Sequence, residues 1–197
     1  ALKRSLEALT AAGLEESRRV FDSYPHQLSG GQKQRAVIAM ALCTGVELLI
    51  ADEPTTALDV TVERQIIDLL AGLCEKRGLA LLLITHNLRL VRSLAGRVAV
   101  MYAGQIVESA PAGRLFAKPG HPYTRALLEC VPAEDGELRS IPGQVPLPGE
   151  WLPGCRFRNR CPLAAPGCEN SQSLKPYGGQ AGHLVRCYLA AETEGAF

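Results

Sequence analysis

Three short stretches of this chain bring together residue types that phosphate chemistry needs. The first is Leu28-Ser29-Gly30-Gly31-Gln32. Ser29 is a strong helix N-cap, and two glycines leave the backbone open to close approach. A helix starting there presents bare N–H groups and a hydroxyl, which suits a phosphate. A plain turn and cap is the competing reading of the same residues. The second stretch is Asp52-Glu53, which follows the apolar run Leu48-Leu49-Ile50-Ala51 and precedes Pro54. One acid at a strand end serves as a helix cap; two adjacent acids point to a metal ligand and a base. The third is His86, just past a second apolar run from Leu79 to Thr85. A histidine at a strand end is ordinarily a surface residue. Its place beside an acid-tipped strand makes it a site residue here.

Positioning these groups requires a particular order of elements. Residues 1 to about 20 read as helical, with Leu2, Leu6 and Leu9 on one face and an interruption at Gly13. Phe21 to Leu28 reads as a loop. Gln32 to Leu42 reads as a helix that is apolar nearly all round, so most of it should be buried. The two apolar runs are short and continuous, as in buried parallel strands. They flank an amphipathic helix from Thr61 to about Arg77, with Gly78 as its C-cap. Asn87 caps a further helix, about Leu88 to Leu94, and a hairpin turns at Ala103-Gly104. Strand, helix, strand, helix, strand is the order of an α/β domain with a parallel core, whose ligands bind beyond the strands' C-terminal ends.

From Pro111 onward the character changes. Short helical pieces, about Ala112 to Ala117 and Tyr123 to Cys130, give way to a Pro/Gly-rich tail with few periodic segments. A boundary is expected near 132 to 140. Cys43, Cys74 and Cys130 are scattered among apolar or helical residues and read as buried thiols. Cys155, Cys161, Cys168 and Cys187 lie in the tail, with five, six and eighteen residues between them. Disulfides, zinc and an iron–sulfur cluster compete for these four. Zinc usually prefers C-x₂₋₄-C pairs, which are lacking, whereas a cluster tolerates looser spacing. Arg156, Arg158 and Arg160 either offset thiolate charge or form a solvated face, and His183 is a weak substitute ligand. The net charge of +1 gives no support for nucleic-acid binding. No apolar run is long enough to span a bilayer, so membrane contact is expected through a partner.

Leu28-Ser29-Gly30-Gly31-Gln32, Asp52-Glu53-Pro54, Ala57-Leu58-Asp59 and Ile84-Thr85-His86 occur in that order. They resemble the signature motif, Walker B, D-loop and switch histidine of ATP-binding cassette (ABC) ATPases, over roughly residues 1 to 115. The tail, with His121-Pro122-Tyr123-Thr124-Arg125-Ala126-Leu127-Leu128 and the four cysteines, resembles the C-terminal extension of the dipeptide/oligopeptide and nickel importer ATPases. The resemblance implies an α/β fold: part of a P-loop NTPase domain with parallel core strands and a helical signature subdomain (1–115). A connecting helical segment (116–135) and an irregular Cys/Pro/Gly-rich extension (136–197) would follow.

It also implies roles. Asp52 would hold Mg²⁺, Glu53 would act as general base, and His86 would sense the γ-phosphate. Asp59 would help position the attacking water. Ser29, Gly30, Gly31 and Gln32 would face an ATP held by the opposite subunit. The four tail cysteines would carry a [4Fe-4S] cluster, with Zn²⁺ the alternative. Expected partners are a second ATPase subunit (identical or paralogous), membrane permease subunits and, indirectly, an extracytoplasmic binding protein, but no nucleic acid. The expected location is peripheral, at the cytoplasmic face of the inner membrane. The runner-up readings are a soluble cassette ATPase acting on nucleic acid and a non-enzymatic metal-binding remnant. Two departures from the family pattern stand out. Asn87 occupies a position where the family often has Asp, and no G-x-x-x-x-G-K-[ST] occurs in the 197 residues. The chain therefore reads as the C-terminal part of a longer ATPase, or the product of a truncated gene, and should be inactive alone.

Overall fold

Glycines and capping residues punctuate the first part of the chain. In the computed structural model, which describes residues 1–131, 140–179 and 181–191, helix α1 (Leu2–Ala11) ends just before Gly13. Gly13 takes a left-handed φ of +76° that breaks the helix as the sequence predicts. A short α2 (Ser17–Phe21) and a turn of 3₁₀ helix at Pro25–Gln27 follow. Then α3 (Gly30–Leu42) starts on Ser29. Strand β1 (Leu48–Asp52), helix α4 (Val60–Arg77) and strand β2 (Ala80–Ile84) complete a β-α-β unit. β1 and β2 pair in parallel with Asp52 opposite Ile84. Asp59 caps α4 by accepting the Val62 N–H at 2.8 Å, and Gly78 ends it at φ +63°. Ala8, Leu9, Ala12, Leu14, Val20 and Ala39 form one core cluster, and α4 buries Ile66, Ile67, Leu70 and Leu73.

Two burial expectations need correction. α3 is not apolar-buried nearly all round: Ile38, Ala39 and Leu42 are inside, but Val37 and Met40 are exposed. Nor are the parallel strands buried on both faces. Leu49 and Ala51 of β1 are inside, whereas Leu48, Ile50, Leu82 and Ile84 are exposed on the other face. A two-stranded sheet has too few neighbours here to cover both its sides, whatever its residue types ask for.

The chain divides into two compact units, Ala1–Asn87 and Leu88–Phe197. The sequence boundary expected near 132 to 140 falls largely on residues 132–139, which lie outside the described residues. The second unit begins with α5 (Leu88–Leu94) and an antiparallel hairpin, β3 (Arg97–Tyr102) and β4 (Gln105–Pro111). Ala103 and Gly104 both have positive φ, +46° and +78°, which is the turn geometry a two-residue hairpin favours. α6 (Ala112–Ala117) and α7 (Pro122–Glu129) come next.

The tail is not wholly irregular. Two-residue strands β5 (Lys175–Pro176) and β6 (Leu184–Val185) extend the hairpin to a sheet of order β3-β4-β6-β5. Phe157 is buried against Tyr102 and Tyr123, with ring centroids 5.2 and 5.3 Å away. Glu108 of β4, fully buried, accepts the backbone N–H groups of Gly120 and His121 at 2.8 and 2.9 Å. It also pairs with buried His183 Nε2 at 2.7 Å. This clasp fixes the loop before α7 to β4 and to the tail, and it occupies His183, the weak ligand candidate.

Candidate functional site

The site forms where β1 and β2 end. Their parallel register brings the residues after Asp52 and Ile84 side by side, and the Glu53 N–H donates to the Ile84 carbonyl at 2.9 Å. Glu53 then leaves the strand at φ +46°, a left-handed conformation that few residues with a Cβ adopt. That turn faces its carboxylate toward His86. Glu53 Oε1 lies 2.8 Å from His86 Nδ1, and Glu53 Oε2 accepts the Thr56 hydroxyl at 3.2 Å. The hydrogen bond from His86 is the main cause holding the Glu53 carboxyl below its ordinary value, while partial burial works the other way. Glu53 is thus an ionised acceptor at neutral pH. His86 is largely exposed, with 84% of its side-chain surface accessible, so its remaining ring nitrogen is free to meet a ligand. Asp52, also exposed, ends β1 beside this pair.

The loop after Glu53 is closely tied. The Thr56 N–H donates to the Glu53 carbonyl, the Leu58 N–H donates to the Thr55 carbonyl, and Ala57 sits at φ +64°. The buried Thr55 hydroxyl donates to Glu63 Oε1 at 2.8 Å. The Asn87 amide lies 3.5 Å from both Glu63 oxygens. Sequence reasoning missed Thr55, Thr56 and Glu63. A usable signal was present: Glu63 is an acid in the first turn of the helix that Asp59 caps.

The signature residues form a reciprocal capping box. The Gln32 N–H donates to Ser29 Oγ at 3.3 Å, and the Ser29 N–H donates to Gln32 Oε1 at 3.1 Å. The two glycines also have a packing duty inside this unit. A Cβ on Gly31 would sit 2.7 Å from Val62 Cγ1, and one on Gly30 would sit 3.3 Å from Leu58 Cδ2. The start of α3 therefore packs on the residues either side of Asp59. The structure brings Glu53 to His86, and Ser29-Gly30-Gly31-Gln32 to the Asp59 loop.

The cysteine expectations fare differently. All seven cysteines are free thiols, and Cys43, Cys74 and Cys130 are only half-buried. Among the described residues no group of three or more His, Cys, Asp or Glu side chains is placed to hold a metal ion. The four-cysteine centre expected from sequence is therefore not formed as a ligand set. The four thiols do share a neighbourhood. Burial chiefly raises Cys155, Cys161 and Cys187, the last to about 11. In each case other tail cysteines add to the rise, and backbone N–H groups at Phe157, Leu163 and Leu189 oppose it. Cys168 is buried, and its carbonyl accepts the Cys155 N–H at 2.8 Å. Of the three arginines, Arg158 acts on a thiol, lowering Cys155. Arg156 stacks 3.8 Å over Trp151, and Arg160 donates to the Ile141 and Pro142 carbonyls.

Residues 2–56 match the family described as ABC transporter, and residues 107–168 match the oligopeptide/dipeptide transporter C-terminal region. The oligopeptide transport ATP-binding protein AppD of Bacillus subtilis (strain 168) is 48% identical over 200 residues, covering 100% of this chain and 60% of the relative. The dipeptide transport ATP-binding protein DppD of Escherichia coli (strain K12) is 50% identical over 169 residues, 84% of this chain and 52% of the relative. The chain thus spans between about half and three-fifths of the curated relatives it matches. A solved structure of cbiO1 from Clostridium perfringens, described as part of the ABC transporter complex cbiONQ, superimposes with a TM-score of 0.53. It is 33% identical, over 59% of this chain and 45% of that one.

Proposed function

We propose that this chain, a member of the ABC transporter family related over its whole length to an oligopeptide transport ATP-binding protein, is the signature and Walker B portion of an ATP-hydrolysing importer subunit. The observation that carries this is the 2.8 Å pairing of Glu53 with His86 at the ends of two parallel strands. Glu53 takes the proton of the attacking water, and His86 holds the line of attack by bonding both Glu53 and the γ-phosphate. Hard, exposed carboxylate oxygen on Asp52 suits Mg²⁺, which needs only one or two carboxylates alongside phosphates and water. When bound, Mg²⁺ neutralises phosphate charge.

Ser29, Gly30, Gly31 and Gln32 close over a nucleotide held by a second ATPase subunit, and Asp59 at the α4 cap lies on the same surface. Phosphoryl transfer depends mainly on such positioning. The phosphate cradle comes from outside these 197 residues, which contain no G-x-x-x-x-G-K-[ST]. The cargo is peptides or similar small solutes, delivered by an extracytoplasmic binding protein and moved by membrane permease subunits, on which this chain sits peripherally at the cytoplasmic face of the inner membrane. Among the described residues no helix is long and apolar enough to cross a membrane.

For the tail we propose that Cys155, Cys161, Cys168 and Cys187 carry a [4Fe-4S] cluster, with Zn²⁺ the alternative. The reading rests on four thiol donors within one tail; among the described residues they are not gathered into a ligand set. The donor set fits soft metal chemistry. The group would cross-link the tail. Brown protein that loses its visible absorbance in Cys161→Ser supports the cluster; stoichiometric zinc after anaerobic purification overturns it.

The ATPase reading is tested by mixing the purified chain with a P-loop-bearing cassette subunit. The chain alone should show no steady-state ATP turnover, and adding it should raise ATP affinity or turnover of the partner. Robust turnover by the chain alone, or no response on mixing, contradicts the proposal.

A further inference from the structure

Glu53 and His86 are held by a closed ring of side-chain contacts, and Glu63 is the residue that closes it. Glu53 meets His86 at 2.8 Å, and Asn87 follows His86 in the chain. Asn87 places its amide 3.5 Å from both Glu63 oxygens. Glu63 accepts the Thr55 hydroxyl at 2.8 Å, and the next residue, Thr56, donates its hydroxyl back to Glu53 at 3.2 Å. The Asn87 N–H also donates to Thr85 Oγ1 at 3.1 Å, which shapes the turn carrying His86. Glu63 is half-buried and stands on the first turn of α4, whose start is fixed by the Asp59 cap. A carboxylate on that turn also favours the helix dipole, but that role needs no particular neighbour at 55 or 87.

We infer that Glu63 is a positioning residue: it grips the Walker B loop through Thr55 and the switch-histidine loop through Asn87, and so sets Glu53 against His86. This rests on the proposed roles of Glu53 and His86. The identity of residue 87 now carries meaning. As helix caps alone, asparagine and aspartate are interchangeable. Against Glu63 they are not, because an aspartate there would set one carboxylate against another where the Asn87 amide now donates. The pair is a matched set, and a carboxylate at 87 calls for a donor at 63.

The test reads the Glu53 Oε1–His86 Nδ1 separation in crystal structures of the 197-residue chain, 2.8 Å in the parent. In Asn87→Asp and in Glu63→Ala it should open beyond hydrogen-bonding distance. Glu63→Gln alone keeps an acceptor for Thr55 and should keep the short contact, which guards against a trivial loss of folding. The double variant Glu63→Gln/Asn87→Asp restores a donor facing a carboxylate and should recover the parent contact. A helix-dipole role alone predicts no such rescue. An unchanged contact in Asn87→Asp and Glu63→Ala, or no recovery in the double variant, overturns the inference. A second arm reads turnover of this chain fused behind the P-loop region of the AppD relative, so that a nucleotide is held beside Glu53. There Asn87→Asp should lower kcat about tenfold or more with KM little changed, and Glu63→Gln should rescue it. The expected structural pattern without any kcat effect overturns the catalytic roles proposed for Glu53 and His86 while leaving the ring geometry standing.

Discussion

Replacing Glu108 by Ala should unfold the second unit far more readily than a typical substitution. Glu108 has no exposed surface and receives three donors: the Gly120 N–H at 2.8 Å, the His121 N–H at 2.9 Å and His183 Nε2 at 2.7 Å. Alanine leaves all three without their acceptor in a dry site. Each buried group left unpaired costs about 1–3 kcal/mol, and loss of one partner from a buried pair costs about 3–5 kcal/mol. Three such groups come to about 3–9 kcal/mol, and the two routes overlap at roughly 3–5 kcal/mol, a large part of the ~5–15 kcal/mol that holds a domain together. Relaxation is restricted, because a Cβ at Gly120 would sit 2.6 Å from Val185 and 2.9 Å from Tyr177; the loop has little room to shift. Trp151 is the sole tryptophan and belongs to this unit, so its fluorescence in a urea titration reports the unit directly. With a urea slope of about 2 kcal/mol/M, the midpoint should fall by roughly 1.5–2.5 M. Glu108→Gln keeps one acceptor but turns an amide NH₂ toward a former partner, and should lie between the two. A midpoint shift below about 0.3 M in Glu108→Ala would refute the reasoning. It would mean that water or a rearranged loop satisfies those groups.

Three further outcomes follow from the first unit. Gly31→Ala drives a Cβ to 2.7 Å from Val62 Cγ1 and should destabilise the unit by about 1–3 kcal/mol, most of it recovered in Gly31→Ala/Val62→Ala, as read by thermal unfolding. His86→Ala removes the main cause of the lowered Glu53 carboxyl, so an NMR titration should find Glu53 near its ordinary value of 4.5. A depressed carboxyl stabilises the fold above its unfolded pKa. The stability gap between parent and His86→Ala should therefore exist at neutral pH and close as pH falls below that value. Asp59→Ala deletes the acceptor for the Val62 N–H and should cost about 1 kcal/mol in chemical unfolding, with Asp59→Asn costing less.

The local signals in the sequence translated well into structure where one residue settles one conformation. Ser29 caps, Gly13 breaks, Gly78 closes a helix in the left-handed region, and Ala103-Gly104 turns the hairpin. The pairing of Glu53 with His86 was legible as two chemical groups at the ends of two apolar runs. What was hidden depends on contacts distant in the chain. The Thr55–Glu63–Asn87 links need the parallel register of β1 and β2 before they exist. β6 is only two residues long, so no periodicity announces it, and its place beside β4 is set by the Glu108–His183 pair across 75 positions. The burial forecasts for α3, β1 and β2 failed in part because apolar composition states what a surface prefers, not how much neighbouring chain is present to cover it. Reading Gly30 and Gly31 as open to a ligand did not anticipate the packing of Leu58 and Val62 against them.

Glu53 stands in this reading as the base of an ATP-hydrolysing site whose phosphate cradle lies outside these 197 residues. The most direct measurement is ATP binding and single-turnover hydrolysis in a chimaera whose P-loop region comes from the 48%-identical AppD relative and whose remainder is this chain, with and without Glu53→Gln. The account predicts ATP binding within about twofold of the parent and hydrolysis slowed by about 10²–10⁴-fold. Hydrolysis within a few-fold of the parent in Glu53→Gln, or loss of ATP binding in step with activity, would contradict it.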